Sequence, residues 1–250
     1  MRRVVIPPAA VQRDRITIDD PGELHHLLHV LRVKVGDPLD CFDAHGHSYL
    51  GRVVRCTRTA LVLAIQEERT EAPPSRRLTL VQALIRPERF AWVVQKATEL
   101  GVERLVPLVT ARTTVRPAPA RAERQVERWQ RVSREAATQC GRRTVPRIEP
   151  PQRFDRVMPV IAGEARVIMP TLAAPASPLR EAAAGLRHGD SVAAVIGPEG
   201  DFTPEEAALA KRHGARLVSL GGLTLRSETA ALVTLAILQY EGAQDHEGSV

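Results

Sequence analysis

The chain of 250 residues is poor in aromatics, at 3%, and holds only 3 cysteines. So few rings argue against broad base-stacking platforms for single-stranded nucleic acid. Cys41, Cys56 and Cys140 are odd in number and form no CxxC pair, which excludes a disulfide scaffold and most zinc sites. His25, His26 and His29 share a helical spacing without partnering cysteines or carboxylates, so no metal site is expected. No apolar run approaches the roughly 20 residues of a membrane helix. The opening MRRVVIPPAAVQRDR has arginines but no apolar stretch of about 7–15 residues and no small-residue cleavage site. Membrane insertion and secretion are therefore not expected, and a cytoplasmic protein is. A GxSxG elbow, a Walker loop and a GxGxxG fingerprint are all missing, so covalent hydrolysis, nucleotide-phosphate binding and dinucleotide binding lose their strongest support.

What is present is a globular composition, 44% hydrophobic and 26% charged, long enough for one large or two ordinary domains. The net charge of +6 is unevenly spread: residues 1 to 72 sum to 0, residues 73 to 150 to +9, and residues 151 to 250 to −3. A concentrated basic segment is the electrostatic footprint of a polyanion partner. It is also what a solvated helix face looks like, since Arg121, Arg124, Arg128, Arg131 and Arg134 interleave with Glu123, Glu127 and Glu135. Charge alone leaves both readings open.

The first 70 residues contain short β-rich pieces, RITI, PLDCF, SYLGRVVRC and ALVLAIQ, separated by turn signals, which predicts a small barrel. One helical piece, PGELHHLLHVLR, interrupts it. ERTEAPPSRR is the best linker, placing a boundary near residues 70 to 76. Beyond it strands and helices alternate, which predicts a parallel α/β sheet. LTLVQALI, VERLVPLVT, ARVIMP, SVAAVIG and RLVSLGG read as strands. Thr203, Pro204 and Glu206 spell a capping box that opens a helix ending at Gly214. Ser227 is read as the cap of a last helix, ETAALVTLAILQYEG, apolar nearly all round and so expected to be buried under the sheet or against a second subunit.

Two glycine-containing loops, GPEG at 197 to 200 and LGGLTLR at 220 to 226, leave the carboxyl ends of predicted strands, where open α/β sheets bind ligands. They are expected side by side. Taken alone, either loop is equally an ordinary tight turn. The polar residues beside them are Glu199, Arg226, Ser227, Glu228 and Thr229.

QKATELGVERLVPLVTART, REAATQCGRRTVPRI, VIGPEGDFTPEE and LGGLTLRSETAAL occur in one order, with RRVVI and HHLLHVLRVKVGDPLDCFDAHG before them. Together they resemble the RsmE family of ribosomal RNA N3-uridine methyltransferases, within the SPOUT methyltransferase class, over essentially the whole chain. The resemblance implies an α/β protein with a PUA-like RNA-binding β-barrel domain at 1–72 and a SPOUT domain at 73–250, built on a parallel sheet with a deep trefoil knot. It implies a homodimer that binds S-adenosylmethionine and acts on 16S ribosomal RNA or the small ribosomal subunit. Carried onto this chain, the cofactor contacts are Met169, Pro170, Gly197, Pro198, Glu199, Gly200, Leu220, Gly221, Leu225 and Arg226.

Methylating uridine N3 requires removal of a weakly acidic proton and stabilisation of charge on the ring oxygens. Arg226 is the candidate cation. Glu228 is the candidate group to orient Arg226 or to accept the proton, although the two also read as a structural pair closing the loop. Arg2, Arg3, Arg112, Arg116, Arg142 and Arg143 are the candidate phosphate contacts. Lys96 and Glu99 read as a local pair or a site wall. The chain departs from the family pattern with Asp201 for a second glycine, Ser227 for threonine, Thr138-Gln139 for Glu-Gln, and Arg86-Pro87 for Lys-Gly. Three alternatives stay open: a catalytically silent RNA-binding ribosome assembly factor, a SPOUT enzyme acting on another RNA atom, and a small-molecule α/β enzyme.

Overall fold

The structure is a computed structural model describing residues 2–70, 76–115 and 119–244. The expected linker falls largely on residues 71–75, which, like Arg116, lie outside the described residues. The chain forms two compact units, Met1–Pro73 with Ala137–Val145, and Pro74–Ala136 with Pro146–Val250. That Ala137–Val145 cluster with the first unit has no counterpart in the sequence pattern.

The first unit contains β1 (Arg2–Val5), β2 (Val11–Gln12), β3 (Arg15–Ile18), α1 (Pro21–His25), β4 (Pro38–Phe42), β5 (His47–Cys56) and β6 (Leu61–Thr70). Asp20 caps α1 by accepting the N–H of Glu23, and the helix runs on as one wider turn, His26–Val30. The sheet order is β1-β4-β5-β6-β3-β2, antiparallel except for the β1 and β4 pair. Thr57 closes the turn between β5 and β6, its hydroxyl donating to the Ala60 carbonyl and accepting the Ala60 N–H, each at 2.9 Å. Register shifts at Leu50/Gly51 and Val53/Arg55 bend β5. A Cβ on Gly51 would stand 3.0 Å from Leu63, so the two strands close up only because glycine is there. Ile16, Leu27, Leu39, Leu61 and Leu63 form the fully buried centre. Within this unit Thr144 bridges to Ala44, and the N–H of Val145 reaches the Ala44 carbonyl.

The second unit contains β7 (Arg77–Ala83), α2 (Pro87–Glu99), β8 (Arg104–Val109), α3 (Pro119–Cys140, its last residues grouped with the first unit), β9 (Arg147–Ile148) and β10 (Gln152–Arg153). Then come α4 (Phe154–Glu164), β11 (Arg166–Pro170), β12 (Ser177–Pro178), α5 (Leu179–Ala183), β13 (Ser191–Ile196), α6 (Pro204–Arg212), β14 (Arg216–Ser219) and α7 (Ser227–Gln244). The sheet order is β10-β8-β7-β13-β11-β14-β12, with β9 beside β8, and every pair is parallel. A parallel sheet is covered on both faces, and the residues of β13 alternate accordingly. Val192, Ala194 and Ile196 face the cluster built with α2, α3, α5 and α7, whereas Ala193 and Val195 face α4 and α6. Phe90 and Trp129 meet in the first cluster with ring centroids 4.4 Å apart. Trp129 is thus a core residue. Fully burying a side chain such as Phe90 contributes about 1.5–3 kcal/mol.

The last helix presents Ala231, Leu235 and Leu238 to that cluster, while Leu232, Val233 and Ile237 are only half-covered and Tyr240 is exposed. Among the described residues no helix is long and apolar enough to cross a membrane.

Candidate functional site

The carboxyl ends of β13, β11 and β14 lie next to one another, and the loops that leave them enclose one cleft. The two glycine loops meet in this cleft as expected, although β13 and β14 are not themselves neighbours. β11 lies between them, which makes residues 170–172 a third wall. The cleft holds about 600 Å³ of empty space, part of it open to solvent.

Backbone and apolar groups dominate the lining. Pro170, Gly197, Pro198, Leu220, Gly221, Leu223 and Leu225 contribute to it, with Thr171, Ser227, Glu199 and Asp201 as polar members. No lysine or arginine is among these lining residues, and two carboxylates are.

Gly197 is required by close packing, since a Cβ there would stand 3.1 Å from the Phe202 ring. Its carbonyl accepts a 2.5 Å hydrogen bond from the Ser227 hydroxyl, which itself accepts from Nε2 of Gln82 at 2.9 Å. Ser227 therefore does not cap α7. The first carbonyl to receive a helical bond is that of Arg226, from Ala230, so Ser227 is already inside the helix and its hydroxyl fastens the cleft. The next loop residues are held from α6 and from the segment after β8. Thr203 and Glu206 form the capping box, Glu206 Oε1 accepts the N–H of Ala111, and Nη1 of Arg112 donates to the carbonyls of Gly200 at 2.7 Å and Phe202 at 3.2 Å.

Of the expected cofactor residues, Pro170, Gly197, Pro198, Glu199, Leu220, Gly221 and Leu225 line the cleft. Met169 does not; its side chain is enclosed in the cluster with α4 and α6. Gly200 and Arg226 are exposed and outside the lining. Glu228 has only 12% of its side chain exposed and meets Arg89 at 3.6 Å, not Arg226. The same guanidinium lies 4.0 Å from Glu199. Glu228 Oε2 and Gln82 Oε1 are buried without a hydrogen-bond partner among the described residues. Arg89, Gln82 and Thr171 are thus site residues the sequence pattern did not signal.

The candidate phosphate contacts are placed differently from one another. Arg2 pairs with Asp37 at 2.7 Å and Arg3 with Asp40 at 2.9 Å. The N–H of Lys34 and the Arg2 guanidinium hold the Asp37 carboxyl below its ordinary range. Arg142 donates to the Thr144 hydroxyl, and Arg143 adds to the field, led by Arg69, that holds Glu67 low. Arg112 braces the loop after β13. Lys96 pairs with Glu99 at 2.8 Å, one turn along the same helix.

A family model described as RNA methyltransferase domain matches residues 71–239, and one described as RNA methyltransferase PUA domain matches residues 18–66. The chain is 32% identical over 238 residues to the ribosomal RNA small subunit methyltransferase E of Synechocystis sp., covering 94% of this chain and 76% of that protein. It is 28% identical to the protein of that name from Bacillus subtilis, covering 88% of each. Among solved structures, a Neisseria gonorrhoeae ribosomal RNA small subunit methyltransferase E bound to S-adenosyl methionine superposes with a TM-score of 0.82, at 28% identity over 96% of this chain and 97% of that one. A Legionella pneumophila protein solved with bound SAM gives a TM-score of 0.84, at 28% identity over 95% and 96%.

Proposed function

The chain belongs to the RNA methyltransferase domain family, and on that premise we propose that it uses S-adenosylmethionine to methylate the N3 of a specific uridine in 16S ribosomal RNA of the small subunit. The three-loop cleft carries the reading. Glycine loops offer backbone donors and acceptors to an adenine, leucines offer apolar cover, and the lining has carboxylates but no cation. That chemistry suits a donor that bears positive charge and no phosphate. It does not suit a nucleoside di- or triphosphate, whose oxygens need basic or helix-terminal partners.

S-adenosylmethionine supplies a methyl group already activated on a sulfonium, so the protein's tasks are positioning and electrostatics. Pro170, Gly197, Pro198, Glu199, Leu220, Gly221 and Leu225 would hold it. Glu228 accepts the uridine N3 proton, with Arg89 keeping its carboxylate in place, and Arg226, exposed at the start of α7, steadies the charge left on the uracil oxygens. The basic residues Arg2, Arg3, Arg142 and Arg143 of the first unit are its phosphate contacts, consistent with the match to a PUA domain.

The finer parts of this reading are a deep trefoil knot around the loops after β13 and β14, a homodimer formed through the open face of α7, and work in the cytoplasm. The order β13-β11-β14 and the half-covered apolar residues of α7 support the first two.

Calorimetry with S-adenosylmethionine tests the core of the reading. Saturable binding with one site per chain is expected. Folded protein that binds 16S RNA but releases no heat with the cofactor would leave only an RNA-binding assembly factor.

A further inference from the structure

Asp201 is one of four non-glycine residues in the left-handed region among the described residues, at φ 57°. Such a backbone costs about 1 kcal/mol or more and persists where its surroundings hold it. What holds it is a pair of hydrogen bonds across two loops. Its Oδ2 accepts the Thr171 hydroxyl at 3.0 Å and the Leu172 N–H at 2.7 Å. Thr171 is buried, its hydroxyl accepts the N–H of Ala173, and its own N–H reaches the Val218 carbonyl of β14. One carboxylate oxygen thereby ties the loop after β13 to the loop after β11, and that second loop to β14.

These tied residues are walls of the cleft. Thr171, Leu172 and Asp201 all line it, and Leu172 is 68% exposed at its mouth, as Leu223 is at 81%. A leucine left in water and pinned by its own N–H is placed to cover an incoming apolar surface.

We propose that Asp201 is a positioning residue that sets the width of the cleft mouth and pre-organises Leu172 against S-adenosylmethionine, acting on cofactor affinity rather than on the methyl-transfer step. The proposal rests on the functional reading above.

Three variants separate it from a plain turn staple. Asp201→Gly suits the left-handed backbone and removes the latch. Asp201→Asn keeps a side chain tolerant of that backbone and an acceptor oxygen. Thr171→Val removes one of the two donors. For Asp201→Gly the expected outcome is roughly tenfold weaker S-adenosylmethionine binding by calorimetry and a matching rise in its KM. kcat and the KM for RNA stay within about twofold, the melting temperature does not fall, and the Leu172 amide exchanges at least about tenfold faster without cofactor. Asp201→Asn restores most of the affinity, and Thr171→Val falls between. Wild-type affinity and Leu172 exchange in Asp201→Gly would overturn the latch alone, as would equal losses in cofactor binding, RNA KM and kcat. No cofactor binding by the unaltered chain would overturn the functional reading and the latch with it.

Discussion

At the scale of single residues, Ser227 joins strand, loop and helix through one hydroxyl. Ser227→Ala strips Gly197 of a donor and Gln82 of an acceptor in a buried place, which lowers stability by about 1–3 kcal/mol in urea titration. Unchanged stability would show that water replaces the hydroxyl. Asp43 makes a pH prediction. Burial would raise its carboxyl, but the N–H of His45 and the ring and N–H of His47 outweigh burial and hold it low. A carboxyl held low when folded stabilises above its unfolded value of about 4, and that stability is lost as pH falls through the folded value. The melting temperature of the protein should therefore fall below about pH 4, and Asp43→Asn should flatten that part of the profile. The cysteines separate by environment: burial, with Asp40 adding, pushes the Cys41 thiol up to about 12, while Cys140 is exposed. Alkylation at mildly basic pH should label Cys140 well before Cys41 by mass mapping. Gly197, Pro198 and Gly221 were readable as cleft residues because glycine loops after strands carry a local signature. Arg89, Gln82 and Thr171 were not, because each reaches the site through tertiary contact and has no local signature.

At the scale of elements, legibility follows how much of the element's reason lies in its own sequence. Helix α6 is fully spelled by its capping box and its closing glycine, and Thr203→Ala should cost about 1 kcal/mol and loosen the adjoining loop after β13. Helix α4 is hidden by Pro159 in its middle, and α5 has only five residues, too few for a period to show. The insertion of β11 between β13 and β14 was equally unreadable, since strand order is decided by crossovers and not by strand composition. A buried arginine holds the last helix in place: Arg76 donates to the carbonyls of Leu238 and Leu186, both at 3.1 Å. Arg76→Met leaves those carbonyls without that donor and should lower stability by about 2–4 kcal/mol. A loss below 1 kcal/mol, on the order of a surface substitution, would contradict that role.

At the scale of the whole molecule, the basic excess of residues 73–150 falls mostly in the second unit, while the four candidate phosphate-binding arginines lie in the first, whose residues 1–72 are neutral in sum. On the proposed function both units face RNA, and the cleft of the second presents the methyl donor. Binding to RNA should then weaken steeply with salt while cofactor binding changes little. The homodimer proposal predicts that Tyr240→Glu, on the open side of α7, shifts sedimentation towards the monomer, whereas an unchanged distribution would place the contact elsewhere. The most direct measurement is nucleoside mass spectrometry of unmodified small-subunit RNA or subunits incubated with the purified protein and S-adenosylmethionine carrying an isotopic methyl label. The account predicts one label per RNA, recovered as 3-methyluridine from a single position. Label on a ribose or another base atom, or none from folded protein shown to bind both ligands, would contradict it.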